Sequence, residues 1–540
     1  MVDYIIVGGG SAGCTLAGRL SEDPAVSVLL LEAGGSDRHP FFAMPAGFAK
    51  MTKGIASWGY STVPQRHLGD RVLWYTQAKV IGGGSSINAQ IYTRGNAEDY
   101  DGWAYDHHCA GWSFAEVLAY FKRAEDNQRL IDPWHAAGGP LGVSIPINPL
   151  PISEAYLRAG QQYGIPYNPD FNGASQPGVG HYQVTVRDAK RSSAASAYLK
   201  PNRNRANLTV RTGVAVTRIV VEHGRAVGVE IVEGGHPTVI RCDREVLLTA
   251  GAINSPRLLL LSGVGPADHL TSVGVPVVHD LAGVGGNLQD HLDLYVIAEC
   301  TGDHTYDNVA KPHRTLFAGI QYLLTGKGPV ASTLFETGGF WFADKTATAP
   351  DIQFHLGLGS GIEAGVARLR NAGVTLNSAY LRPRSRGSVR LASADPGAHP
   401  LIDPNYWADP HDRAMSLEGL RMAREIFRQP ALAPFIMAER LPGADITSEA
   451  DLAAYAFRSC KTDHHPVGTC KMGIDADAVV TPDLKLRGID GLRVCDASIM
   501  PRLPSCNTNA PTIMIGEKAA DLVRDRPPLP AVNLPPRVPS

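Results

Sequence analysis

No apolar run in this chain is long enough to cross a bilayer; the longest, near residues 4–9, 26–33 and 245–262, are short or interrupted. Neither sign of charge is in surplus. The 50 Lys and Arg against 52 Asp and Glu leave a net charge of −2, and nothing in that balance argues for nucleic acid or an acidic surface as partner. The eight cysteines (Cys14, Cys109, Cys242, Cys300, Cys460, Cys470, Cys495, Cys506) form no CxxC pair and no metal-like spacing. They predict no metal site and read as reduced, mostly buried thiols of a cytoplasmic protein. The N-terminal VDYIIVGGG has no basic region before it and reads as a first strand, not a secretory signal. There are no internal repeats.

What is present is length and punctuation. A chain of 540 residues predicts two or more domains. The 57 glycines and 39 prolines are spread along it and predict many turns and close backbone approaches. Residues 3–7 (DYIIV) and 27–32 (SVLLLE) read as buried parallel strands joined by a helix over 11–20, a βαβ unit. Residues 34–75 have no strong period and read as a loop covering a ligand. Helical patterns occur near 113–127 and 153–163, and 208–232 alternates like a hairpin. The βαβ rhythm is absent from about 291 to 460 and resumes at 491–525.

The predicted fold is therefore α/β plus α+β. A discontinuous Rossmann-type domain takes in 1–150, 190–290 and 460–525, with a covering loop at about 34–100. A second, mixed and mainly antiparallel-sheet domain takes in 151–189 and 291–459, and 526–540 is a proline-rich tail.

Gly8, Gly10 and Gly13 form GxGxxG between the first strand and its helix. The spacing provides a tight turn, a close backbone approach to a pyrophosphate, and close helix–strand packing. Ser11 and Ala12 open the helix whose positive end faces the phosphates. Glu32, followed by Ala33, ends the second strand, where a carboxylate accepts hydrogen bonds from a ribose. The fingerprint implies a dinucleotide but does not separate FAD from NAD.

Four further segments do. AKVIGGGSSINAQIYTRG (78–95), GAINSPRLLLLSGVG (251–265), GVGGNLQDHL (283–292) and HPVGTCKMG (465–473) resemble, in order, the motifs of the glucose–methanol–choline (GMC) oxidoreductases. That resemblance implies FAD. Carried over residue by residue, it places Gly82, Gly83, Gly84, Ser85 and Asn88 along the pyrophosphate and flavin ring. Val216 comes to the adenine, and Asp496 and Ala497 to the ribityl chain and pyrophosphate. Gln77 and Ala78 stand where the family has Arg and Gly, and Gly286 replaces a larger polar residue. Ile87 occupies the place of a His that links flavin covalently in some members, so noncovalent FAD is expected. MPAGFAKMT (44–52), IGGGSSINA (81–89), YNPDFNGAS (167–175) and QFHLGLGSGIEAGV (353–366) are similar to the L-sorbose dehydrogenase branch, which suggests a sugar-like primary alcohol such as L-sorbose, oxidised to sorbosone.

Oxidising an alcohol requires removal of the hydroxyl proton as hydride leaves carbon, and imidazole is the side chain suited to that near neutrality. By the resemblance the base is His465, before Pro466. His464 is its rival, and alternation in an extended segment would turn only one of the two toward the flavin. Asn509, in NTNAPTIMIGEKAADLV, is expected to hold the substrate oxygen opposite His465 or to cap the last helix, with Thr512 on the cofactor one turn later. That helix would point its positive end at the flavin. His291 reads as structural, and Glu336 and His355 as candidates for a substrate pocket. The expected electron acceptor is a quinone or dye; the alternatives are an oxidase that uses oxygen and a general aliphatic or aromatic alcohol dehydrogenase. A hydroxynitrile lyase on the same scaffold and a nucleotide-binding module without turnover are the more distant readings.

Overall fold

The structure is a computed structural model and describes residues 1–51, 54–147, 149–362 and 369–534. Thr52, residues 363–366 of the fourth branch motif and the tail residues 535–540 lie outside the described residues.

Val2–Val7 is buried at every position from Tyr4 onward, and Val28–Glu32 throughout. A strand covered on both faces needs an unbroken apolar run instead of alternation. Val2–Val7 pairs in parallel with Val28–Glu32 and with His236–Leu248. Leu208–Thr212 and Leu492–Val494 extend the parallel set on either side. The hairpin Val216–Glu222/Arg225–Glu233 completes a seven-stranded sheet.

The predicted hairpin over 208–232 is thus shorter than expected. Leu208–Thr212 takes a parallel partner instead, and Gly213, at φ +75, turns the chain away before the hairpin begins. The parallel strands all end at one edge. Gly8, Ala33, Val214, Thr249 and Asp496, just beyond those ends, line a single cavity, where open parallel sheets bind nucleotides.

The second seven-stranded sheet is antiparallel, in the order Ile436–Leu441, Leu292–Cys300, Gly373–Tyr380, Ile352–Gly357, Phe335–Trp341, Gly178–His181, with Lys461–Thr462 paired to Leu292–Cys300. Its three central strands are buried at every residue, and the helix Pro410–Phe427 packs on them. The sheet positions the site through one register: Leu292 lies opposite Thr462, so His291 and Asp463 emerge side by side, tied by Asp463 N–H donating to His291 C=O at 2.9 Å.

The last helix, Asn509–Val523, packs against Ser11–Leu20 and Phe114–Ala124. Glu517 is wholly buried there. It accepts from Arg19 Nε at 2.9 Å, Arg123 Nε at 2.6 Å and Tyr198 OH at 2.6 Å. Removing the carboxylate leaves two partly buried guanidinium groups with only Glu22 and Asp521 at the edge of the network as counter-charges, which costs about 3 kcal/mol. Glu517→Ala is expected to lower the thermal midpoint by several degrees, whereas Glu22→Ala, at the exposed end of the same network, is expected to leave it nearly unchanged. Calorimetry on the two variants checks this.

Candidate active site

One cavity of about 390 Å³ runs from the edge of the parallel sheet to the His465 segment. At its first end, Gly8 and Gly10 turn the chain into the helix Ser11–Leu20. A Cβ at Gly13 would lie 1.9 Å from the Gly8 carbonyl oxygen, so only glycine lets the helix sit this close to the turn. Gly83 meets Gly10 the same way: its φ is +55, and a Cβ there would lie 2.7 Å from Gly10 Cα. Glu32 accepts from Gly9 N–H at 2.7 Å and Gly34 N–H at 2.6 Å. Burial raises its pKa, and the two backbone bonds oppose that shift.

Among the residues expected on a cofactor, Gly8, Gly10, Ser11, Glu32 and Ala33 line this cavity, as do Gly83, Gly84 and Asn88. Val216, Asp496, Ala497, Asn509 and Thr512 line it as well. Ala12, Gly13, Gly82 and Ser85 do not. Ala12 is buried beneath the last helix, against Gly516. Gly82 and Ser85 brace the glycine loop, the Ser85 hydroxyl donating to Gly82 C=O at 2.5 Å and accepting from Ala194 N–H at 2.9 Å. The Asp496 carboxylate is used in the fold, taking Gly251 N–H, Ser255 Oγ, Ser498 N–H and Ser498 Oγ.

Arg191 was not singled out from the sequence. It is buried under the glycine loop and donates to the carbonyls of Phe42, Ser85 and Asn88 and to Asn88 Oδ1. Burial pushes its guanidinium down to about 9. Arg191 does not line the cavity and braces the loop from behind; the two helix N-termini that converge where Ser11 Oγ donates to Asn509 Oδ1 at 2.8 Å do line it and suit an anionic group there.

The other end is a hydrogen-bonded chain of rings. His465 is buried and its backbone N–H donates to Asp290 Oδ1 at 2.7 Å. Asp290 also accepts from Thr462 Oγ1, Tyr75 OH and Tyr406 OH. His291 Nε2 lies 3.1 Å from the Leu381 carbonyl, an acceptor only, so Nε2 carries the proton. Burial pushes the His291 pKa down to about 3, so the ring is neutral and its Nδ1 is a lone pair. That lone pair is 3.0 Å from His465 Nδ1, which must therefore be the donor. Asp463 Oδ2, 3.4 Å from the same nitrogen, favours the same tautomer. His465 Nε2 is left as a lone pair. Burial first, then His291 and His355, hold the His465 pKa well below its usual 6.5.

The amide facing that lone pair belongs to Asn507, not to Asn509. Asn507 Nδ2 is 3.2 Å from His465 Nε2. Its orientation is set by Gln353 Nε2 and Thr93 Oγ1, both donating to Asn507 Oδ1, at 2.9 and 3.1 Å. Asn509 is the first residue of the last helix and is turned to Ser11, whereas Asn507 lies before the Thr508 cap, in the loop that reaches over the cavity.

Alternation does not separate the two histidines, His464 and His465. His464 has φ +62, the segment is not extended there, and both residues line the cavity. His355 lines it too, but Glu336 is buried elsewhere and bonded to Ser153, Tyr306, Ser332 and Leu150 N–H.

This geometry predicts a difference between two neighbouring substitutions. Asn507→Asp places a carboxylate against Nε2 and is expected to raise the His465 pKa by about 1 to 3. Asn509→Asp is expected to leave it nearly where it is. A pH titration of the labelled histidine by NMR reads both.

The GMC oxidoreductase pattern matches this chain over residues 2–293 and again over 383–516. Human mitochondrial choline dehydrogenase is 43% identical over 97% of this chain and 90% of that protein. An alcohol dehydrogenase [acceptor] of Pseudomonas putida is 42% identical over 97% of this chain and 96% of its own. The crystal structure of pyridoxine 4-oxidase from Mesorbium loti superposes with a TM-score of 0.89 at 33% identity, covering 97% of this chain and all of that one. With the site geometry and matches of this length, the chain belongs to the GMC oxidoreductase family.

Proposed function

We propose that this protein is an FAD-dependent dehydrogenase that oxidises a primary alcohol to the aldehyde. The observation that carries the reading is the neutral His465 ring, its Nε2 lone pair turned to the Asn507 amide inside a cavity that begins at the nucleotide edge of the parallel sheet. FAD is the cofactor its family binds, and the residues here suit it: glycine loops that admit backbone contact and two helix N-termini that open on the cavity. When bound, FAD supplies the acceptor for the hydride that leaves the carbinol carbon. His465 Nε2 takes the hydroxyl proton, and Asn507 Nδ2 donates to the same oxygen as negative charge builds on it. His465 then carries both ring protons. Its Nδ1–H remains donated to His291, whose neutral ring accepts without taking the proton. Ile87 lines the cavity and has no group that can bond to flavin, which supports noncovalent FAD.

For the substrate we favour an L-sorbose-like primary alcohol. Three of the four segments similar to the sorbose branch reach the cavity lining: 44–52 through Phe48, 81–89 through Gly83, Gly84, Ile87, Asn88 and Ala89, and 353–366 through His355. Choline is the second reading: a choline dehydrogenase is among the close relatives, and Asp463 beside His465 offers a carboxylate to a cation. A quinone or dye is the proposed electron acceptor, with oxygen as the alternative.

Anaerobic titration of the holoprotein with L-sorbose, choline and 1-butanol separates these readings by which one bleaches the oxidised-flavin band. If none of the three does so, the dehydrogenase reading falls. His465→Ala is expected to retain FAD and to slow reduction by about 10²–10⁴-fold. Because the His465 pKa is held below 6.5, the wild-type reduction rate is expected to be flat above that pH and to fall only below it, as the base becomes protonated. His291→Ala frees Nδ1–H and is expected to slow reduction by roughly 10-fold or more, whereas His291→Asn, whose amide oxygen still accepts, is expected to recover most of the rate. Stopped-flow absorbance across pH measures both.

A further inference from the structure

The helix Pro312–Thr325 is amphipathic but faces the wrong way for a water-soluble surface. Leu316, Phe317, Ile320, Leu323 and Leu324 are 67%, 70%, 47%, 75% and 79% exposed. Their spacing places them on one stripe of the helix. The opposite side is anchored by the buried Ala318 and Tyr322, the Tyr322 hydroxyl donating to Ala189 C=O at 2.9 Å. Single exposed apolar residues are ordinary, but a contiguous stripe of five marks a contact surface.

The charges around the stripe indicate what covers it. Thr315 to Gly326 contains no charged side chain, and no Asp or Glu occurs from Asn308 to Gly328. Lys311, His313 and Arg314 stand before the stripe and Lys327 behind it, all exposed. Of these, Arg314 pairs with Asp303 at 2.6 Å. An apolar ridge with cationic side chains at both ends matches the boundary between acyl chains and anionic headgroups. With 14 residues the helix is too short to span a bilayer, and among the described residues no helix is long and apolar enough to do so. Five partly exposed side chains on one ridge also fall short of the ~800 Å² per partner of a stable protein interface.

We propose that this helix docks the protein on an anionic phospholipid surface, lying in the plane of the interface with its leucines and Phe317 among the acyl chains. The helix leads through Pro329–Ala331, which packs on Pro45–Gly47, to Phe335. Phe335 and Phe48, just beyond those two segments, line the cavity, so the docked face borders its substrate end.

Co-sedimentation of the holoprotein with two kinds of vesicle tests this: pure phosphatidylcholine, and equal parts phosphatidylcholine and phosphatidylglycerol. The wild type is expected to bind the anionic vesicles more strongly. The triple substitution F317S/L323S/L324S is expected to weaken that binding by about tenfold or more, with an unchanged melting temperature showing that the variant is folded. If the triple variant does not fold, L324S alone is used and is expected to give a smaller loss in the same direction. K327E is expected to weaken binding to the anionic vesicles only. The proposal is overturned if the wild type stays in the supernatant with both vesicles, or if the folded variants bind as well as it does. It is overturned equally if ultracentrifugation shows a wild-type dimer that the triple variant abolishes, for then the stripe is a contact between copies of this chain.

Discussion

The site depends on one short contact, the 3.0 Å between His291 Nδ1 and His465 Nδ1. Two neutral imidazoles at that distance share a single proton, and the Leu381 carbonyl decides which ring donates it. A carboxylate at 3.0 Å in place of His291 would draw more positive charge onto His465 than Asp463 does from 3.4 Å. A neutral ring orients His465 without charging it, and burial keeps it neutral. The result is an imidazole that is neutral at neutral pH and fixed in direction, which is what the proposed base requires.

Both sheets are needed to make that contact. The register of Leu292 against Thr462 in the antiparallel sheet brings the two histidine segments together. Asp290, one residue earlier, fixes the His465 backbone. Gln353, two strands away in the same sheet, and Thr93, from the loop after the glycine-rich segment, turn the Asn507 amide. The parallel sheet supplies the opposite end of the cavity through the residues just past its strand ends, and the last helix, locked to the helices Ser11–Leu20 and Phe114–Ala124 by Glu517, follows the loop that carries Asn507.

Much of this was legible from local pattern. The fingerprint glycines, the two buried strands and Glu32 follow from short-range rules, because a βαβ turn around a phosphate constrains residues close in sequence. The place of His465 in the cavity lining was legible from its motif. Asn507 was not. It and Asn509 are the same residue type two positions apart, and only the start of the helix, one residue after Thr508, determines which amide reaches back to the ring. His464 misled for a similar reason, since alternation assumes an extended backbone and φ +62 breaks it. His291, Gln353 and Arg191 act through contacts 174, 154 and 106 residues away in sequence, which no local period encodes.

The account stands or falls on His465 working with Asn507. The most direct measurement is the anaerobic rate of flavin reduction at saturating alcohol in Asn507→Ala and Asn509→Ala holoproteins. The account predicts a loss of roughly 10²-fold for Asn507→Ala, the cost of removing one donor to a developing oxyanion, with Asn509→Ala within a few-fold of wild type. The reverse order, or equal rates in the two variants, would contradict it.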